Sequence, residues 1–250
     1  LALKILKMQN DWEDGDEVIS TPITFVSTNH AVLYENMKVQ FADVDAYLCL
    51  SPEDVERKIT NKTRAVIFVG YGGRVGQLDK IITICKRHGL KLILDAAHMA
   101  GTRVNGVMPG TWEGVDVTVY SYQAVKNLPT GDSGMICFAQ KENDTLARQL
   151  AWLGINKDTY ARSNQGSYKW KYNVDELGYK YNGNAIMAAI AIAQLPHLDD
   201  ENSRRRAIVR RYNEAFADEK QIRIIPAPYP DECSWHIYEL AVPNREGLLN

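Results

Sequence analysis

The chain has 250 residues, 45% hydrophobic and 24% charged, which suits one sizeable globular domain with a smaller appendage and excludes a disordered chain. Lysine and arginine total 29 against 31 acidic residues, a formal net charge of -2, so no global basic field draws it to nucleic acid or to an anionic membrane. Four scattered cysteines, 49, 85, 137 and 233, have neither CxxC nor Cys/His spacing, which argues against a zinc site or disulfide framework; with no membrane-length apolar run and no signal peptide expected, the reading is a cytoplasmic protein.

In chain order, "LALKILKM" places Leu1, Leu3, Ile5 and Leu6 as though already inside an amphipathic helix, and the reading expects residues missing upstream. Short apolar or β-branched runs follow at 17–21, 38–44, 64–71, 91–97, 115–122 and 134–139. Helical stretches lie between several of them. "SPEDVERKI" has a Ser-Pro-Glu-Asp start, and "LDKIITICKRHGL" has a stop at Gly89. Strands joined by crossover helices predict an α/β fold with a mostly parallel sheet and helices on both faces. Such sheets present ligands at the carboxyl ends of their strands, so functional residues should follow strands.

Beyond Ala139 the pattern turns helical ("ENDTLARQLAWLG"), then to a polar aromatic loop from Asn156 to Lys171. "AIMAAIAIAQLPHLDD" carries small residues at helical spacing, expected to pack tightly against something else and to stop at Pro196. A charged helix over 200–219 should bury Ile208, Val209, Tyr212 and Phe216 and turn its basic run "SRRRAIVRR" to solvent. A strand and a short helix end the chain. The expected division is 1–199 for a large domain, truncated at its start, and 200–250 for the connecting helix and a partial smaller C-terminal domain.

The chemistry concentrates where two buried strands end. Asp95 closes "KLILD" and Lys126 sits in the polar turn of "VTVYSYQAVKNLPTGDSG". Either charge is costly near a core unless the other, or a covalent bond, offsets it. A plainer account is that Asp95 caps the next helix. The pair together matches pyridoxal phosphate, which needs one amine for a Schiff base and one carboxylate to keep its ring nitrogen protonated. Phe25 can cover a ring face, His98 can approach the phenolic oxygen and Ser121 can donate to the phosphate. His98, beside Ala97 and Met99, has an equally ordinary structural explanation.

The ordered motifs "GDEVISTPITFVST", "DAAH", "SYQAVKNLPTGDSG" and "GYKYN…AAIAIAQL" resemble the DegT/DnrJ/EryC1/StrS family of sugar aminotransferases, from about Leu1 to Arg211. The resemblance implies the aspartate aminotransferase-like (type I) fold. It makes Lys126 the Schiff-base lysine, Asp95 the partner of the pyridine nitrogen, Phe25 the ring stacked on the cofactor, His98 the neighbour of the phenolic oxygen and Ser121 a phosphate contact. It also implies that Asn182 reaches the phosphate of a neighbouring subunit, hence a homodimer with shared active sites. The implied activity is transfer of an amino group from an amino acid, glutamate first, to a keto group of a nucleotide-linked sugar in amino-sugar and polysaccharide biosynthesis. Members that make 4-amino sugars share the "GYKYN"-like motif.

This chain departs from the family in three places. Thr130-Gly131-Asp132-Ser133-Gly134 stands where relatives read Thr-Gly-Glu-Gly-Gly, and Gly183-Asn184 follows "KYN". The upstream Gly-Thr-Ala loop, a helix start that holds phosphate, is absent, so weaker cofactor binding is expected. Tyr168, Trp170 and Tyr172 alternate as one wall of a sugar cleft or, equally, as an edge strand. Two rival readings are a dehydratase of the same family, which carries a histidine in place of the lysine, and a non-catalytic protein that kept the fold for interaction or regulation. Lys126 speaks against the first, and Lys126 with Asp95 against the second.

Overall fold

The computed structural model describes residues 1–156 and 172–249. The strands are β1 (Glu17–Ser20), β2 (Lys38–Phe41), β3 (Thr63–Val69), β4 (Lys91–Asp95), β5 (Val117–Ser121) and β6 (Gly134–Phe138), followed by the short β7 (Arg223–Ile224) and β8 (Leu240–Ala241). The helices are α1 (Ala2–Gln9), α2 (Val26–Tyr34), α3 (Pro52–Lys58), α4 (Leu78–His88), α5 (Lys141–Ala151), α6 (Ala185–Gln194), α7 (Leu198–Ala215) and α8 (Arg245–Leu249). Among the described residues, none of these helices is long and apolar enough to cross a membrane.

Six strands form one sheet in the order β2-β1-β3-β4-β5-β6; all neighbours pair parallel except β6, which returns antiparallel along β5. The period of two along each strand splits the apolar residues between its faces. Ile19, Val66, Phe68, Leu92 and Leu94 join Leu78, Ile81 and Cys85 of α4 on one side. Val18, Ala65, Ile67, Val69 and Ile93 join Leu3 and Leu6 of α1 and Val32 of α2 on the other. Each fully buried Leu, Ile or Phe contributes roughly 1.5–3 kcal/mol, so the two layers hold the sheet from both sides.

Local signals place the crossovers. The Ser51 hydroxyl accepts from the Asp54 amide at 3.3 Å to start α3, and Gly89, at φ 65°, stops α4 in the left-handed region that suits glycine. The strands keep to the expected runs but end a few residues sooner, because the chain turns away to build loops: Tyr71 belongs to a tight turn over Tyr71–Gly73. From β1 the chain goes outward to β2 and then crosses back to β3 on the other flank of β1. That reversal opens a crevice at the carboxyl ends of the strands.

Two expectations for the helices need revision. On α7 only Val209 and the polar Asn202 are buried, while Ile208 and Tyr212 are exposed. Val209 packs with Cys233 and Trp235 from the C-terminal segment, which is too small to cover a wider stripe. The helix α6 stops at Gln194, and Leu195–His197 continue as one tighter turn into α7. No residue of α6 is buried, so nothing among the described residues covers the face expected to pack tightly.

The C-terminal segment is fastened to the sheet by Arg74, which is 0% exposed. Its Nε donates to Pro226 O at 2.8 Å, its Nη2 donates to Ile225 O at 3.2 Å, and it pairs with Glu239 at 2.6 Å. A Cβ on Gly72, whose φ is 66°, would run into the Arg74 guanidinium. The loop expectation over Asn156–Lys171, with Tyr168 and Trp170, falls outside the described residues apart from Asn156, whereas Tyr172 is described and exposed.

Candidate active site

Asp95 is the last residue of β4, aligned with Val69 of β3 and Val119 of β5. Its Oδ2 accepts from the Thr28 hydroxyl at 2.7 Å and its Oδ1 from the Ala97 amide at 3.1 Å. The second bond closes a local turn, but the helix cap of the plainer account does not form, because turns rather than a helix follow Asp95. The first comes from the opening turn of α2, sixty-seven residues away in sequence. Burial pushes the carboxyl up from its ordinary range, opposed by the Thr28 and Ala97 bonds and by the charge of Lys126.

Lys126 lies in the turn between β5 and β6, its amide donating to Gln123 O at 2.9 Å. Burial pulls its ammonium down from the ordinary lysine value, and Asp95 resists that pull. The two charges sense each other without forming a direct ion pair, and among the described residues Nζ has no hydrogen-bond partner. The turn is rigid. Thr130 Oγ1 donates to Tyr122 O at 3.0 Å, the Tyr122 amide donates to Ser133 O at 2.7 Å, and the Thr130 and Ser133 hydroxyls meet at 2.5 Å. Ser133, one of the departures noted above, thus braces the turn with a bond that a glycine could not make.

His98 follows Asp95 by three residues, and its Nδ1 accepts from the Gly72 amide at 3.2 Å. Burial, then His236 and Lys126, hold its pKa down at about 3, so it is a neutral imidazole. Ser121 ends β5, half-buried, its Oγ 3.4 Å from the Gln123 amide. Phe25, at the start of α2, is 73% exposed and presents a flat apolar face. These five residues share the carboxyl edge of the sheet. Asn182 does not join them: it is exposed, its Oδ1 accepting from Lys180 Nζ at 2.8 Å and its Nδ2 donating to Gly183 O at 3.1 Å. Its neighbour Asn184 caps α6 by accepting from the Met187 amide at 3.0 Å.

Four residues that sequence reasoning missed complete the site. Thr28 stood within the quoted "TPITFVST", three residues beyond Phe25, with nothing to mark it. Asn127 adjoins Lys126; its Nδ2 donates to Asn202 Oδ1 at 2.7 Å and to Ser234 O at 2.8 Å. His236 lies against His98, with ring centroids 4.3 Å apart, and its Nδ1 is 2.8 Å from Asn127 Oδ1. Ser234 donates to His98 O at 2.7 Å. Only the fold brings 202, 234 and 236 to the lysine turn, and no local spacing announces it.

The chain is matched over residues 1–250 by the model of the DegT/DnrJ/EryC1/StrS aminotransferase family. It is 36% identical over 238 residues to the spore coat polysaccharide biosynthesis protein SpsC of Bacillus subtilis, covering 93% of this chain and 59% of that protein. Among solved structures, the aminotransferase TlmJ from Streptoalloteichus hindustanus superposes with a TM-score of 0.85 at 32% identity, over 96% of this chain and 62% of that one. The sugar aminotransferase CalS13 from Micromonospora echinospora gives 0.83 at 27% identity, over 99% of this chain and 67% of that one. The chain spans 59% of the length of the curated relatives it matches.

Proposed function

Since the chain belongs to the DegT/DnrJ/EryC1/StrS aminotransferase family and has the type I fold of these enzymes, we propose that it acts as a pyridoxal phosphate-dependent aminotransferase, moving the amino group of an amino acid, glutamate in our reading, to the keto group of a nucleotide-linked sugar. The observation that carries this reading is a half-buried lysine amine with no hydrogen-bond partner among the described residues, held within electrostatic reach of a part-buried acid at the carboxyl ends of two adjacent parallel strands. The residues present suit the cofactor: an unengaged amine, an acid already held by two donors, a bare aromatic face and a neutral histidine.

In this reading Asp95 pairs with the ring nitrogen, Phe25 covers the ring, His98 meets the phenolic oxygen and Ser121 meets the phosphate. When bound, pyridoxal phosphate supplies an aldehyde that takes up an amine and a cationic ring that accepts electrons. The chain does the rest. Lys126, its pKa lowered by burial, would shuttle a proton from the donor's α-carbon to the aldehyde carbon (C4′) of the bound cofactor, and in the second half-reaction from C4′ to the sugar carbon being aminated, so that the amine is regenerated each time. Thr28 fixes the Asp95 carboxylate, and the braced turn carries the Lys126 backbone.

A homodimer belongs to the same proposal. The apolar α6 has no buried residue in the single chain, and Asn182 precedes it on an exposed stretch, which suits a contact to a partner's phosphate. The division into 1–199 and 200–250, with the second part beginning the smaller domain, and a cytoplasmic setting in which all four cysteines stay free complete the reading. Lys126 favours transamination over the dehydratase variant. Adding pyridoxal phosphate should produce a visible absorption band that borohydride abolishes and that Lys126→Ala lacks. A chain that gives no such band, or a variant that keeps it, contradicts the proposal.

A further inference from the structure

Two imidazoles, His98 and His236, stack beside Lys126 with their planes inclined by 37°, and different neighbours set their protons. His98 Nδ1 faces the Gly72 backbone amide, which can only donate. Nδ1 is therefore bare and the hydrogen resides on Nε2. His236 Nδ1 faces Asn127 Oδ1. The Asn127 amide cannot flip, because its Nδ2 donates to the Ser234 carbonyl, an acceptor only, and to Asn202 Oδ1. Asn202 is fixed in turn, its own Nδ2 donating to Ala100 O at 2.9 Å. Asn127 Oδ1 must then accept, His236 Nδ1 carries the hydrogen, and His236 Nε2 keeps its lone pair.

Both rings stay neutral. Burial, then Lys126 and Arg205, hold the His236 pKa at about 4, as burial, His236 and Lys126 do for His98. Neither Nε2 has a hydrogen-bond partner among the described residues, and neither belongs to the buried polar atoms left without one. Both therefore open to accessible space, one as a donor and one as an acceptor.

We propose that His236 is a substrate-contacting residue whose bare Nε2 accepts a hydrogen bond from a hydroxyl of the sugar, next to His98 in the opposite tautomer. The assignment of a sugar rests on the function proposed above, whereas the tautomers rest on the hydrogen bonds together with the burial that keeps both rings neutral. An acceptor built for a hydroxyl is a strong discriminator, since a substrate without that group leaves it unpaired. Asn127 acts through His236 as a positioning residue and links the lysine turn to α7 and to the C-terminal segment.

Long-range proton–nitrogen correlation on the chain labelled with 15N-histidine reads the tautomers directly, with His98→Gln and His236→Gln used for assignment. At neutral pH the protonated nitrogen should be Nε2 in His98 and Nδ1 in His236; the same tautomer in both, or an imidazolium in either, overturns the proposal. Steady-state kinetics with a nucleotide-linked ketosugar then separate contact from scaffolding. Glutamine sets an amide where Nε2 lay, and asparagine sets one where Nδ1 lay. His236→Gln should hold KM for the sugar within about threefold and His236→Asn should raise it about tenfold or more, the worth of one hydrogen bond to a hydroxyl, with KM for the amino donor unchanged in both. The reverse order, or equal loss in both, shows that His236 only braces Asn127 and overturns the contact. Should the chain show no cofactor band, the sugar contact falls together with the proposed function and the tautomer result stands. A chain with the band but the wrong order of variants loses this proposal alone.

Discussion

Thr28 and Lys126 act on the same carboxylate against the same opponent, burial. The Asp95 carboxyl is raised above its unfolded value, so between the ordinary carboxylate pKa of about 4 and the raised folded value the native chain holds more protons than the unfolded one. Stability of the cofactor-free chain should therefore fall as pH rises through that window. Asp95→Asn should remove this slope and leave the chain at least as stable above it, while abolishing transamination; urea titrations at several pH values check the first part and turnover the second. Thr28→Val removes a hydrogen bond to a charged group worth about 1.5–3 kcal/mol, so kcat/KM should drop about 10–100-fold with the visible band retained. A Thr28→Ser variant that keeps the hydroxyl should keep most of the rate.

The elements differ in how openly the chain declares them. The strands of the sheet were legible because each is a short apolar run between turn residues, and α3 and α4 because Ser51 and Gly89 mark their ends. Asp95 and Lys126 stood out as candidates for the same reason: a charge at the end of a buried strand needs an explanation that a charge elsewhere does not. Thr28, Asn127 and His236 were not, since each is one polar residue whose partner lies far off in sequence and whose position only the packed fold decides. The inner face of α7 was overdrawn because helical periodicity reports what can be buried, and the small C-terminal segment fully buries only Val209 of the four residues, with Tyr238 touching Tyr212 and Phe216 half-buried. On α6 the same signal finds no cover among the described residues, where Ile186 and Ile192 are 72% and 73% exposed, and the proposed dimer would supply one. Ile186→Asp with Ile192→Asp should convert a dimer into monomers by sedimentation velocity. An unchanged mass would remove α6 from the interface.

At the scale of the whole molecule, the strand ends gather residues from the start of α2 to the C-terminal segment, and two buried polar knots tie that segment to the rest of the chain. Asn127, Asn202 and Ser234 form one, and Arg74 with Glu239 and the carbonyls of Ile225 and Pro226 forms the other. Removing one side of such a buried pair leaves a charge uncompensated, so Arg74→Ala should destabilise the chain by about 3–5 kcal/mol in denaturant titrations. The C-terminal segment should become protease-sensitive before the sheet does. The central claim is that Lys126, and no other lysine, meets the cofactor opposite Asp95. It is tested most directly by borohydride trapping of the chain with pyridoxal phosphate, digestion and peptide mass mapping. The account predicts a single modified peptide carrying Lys126. Label scattered over exposed lysines, or fixed on a different one, would contradict it.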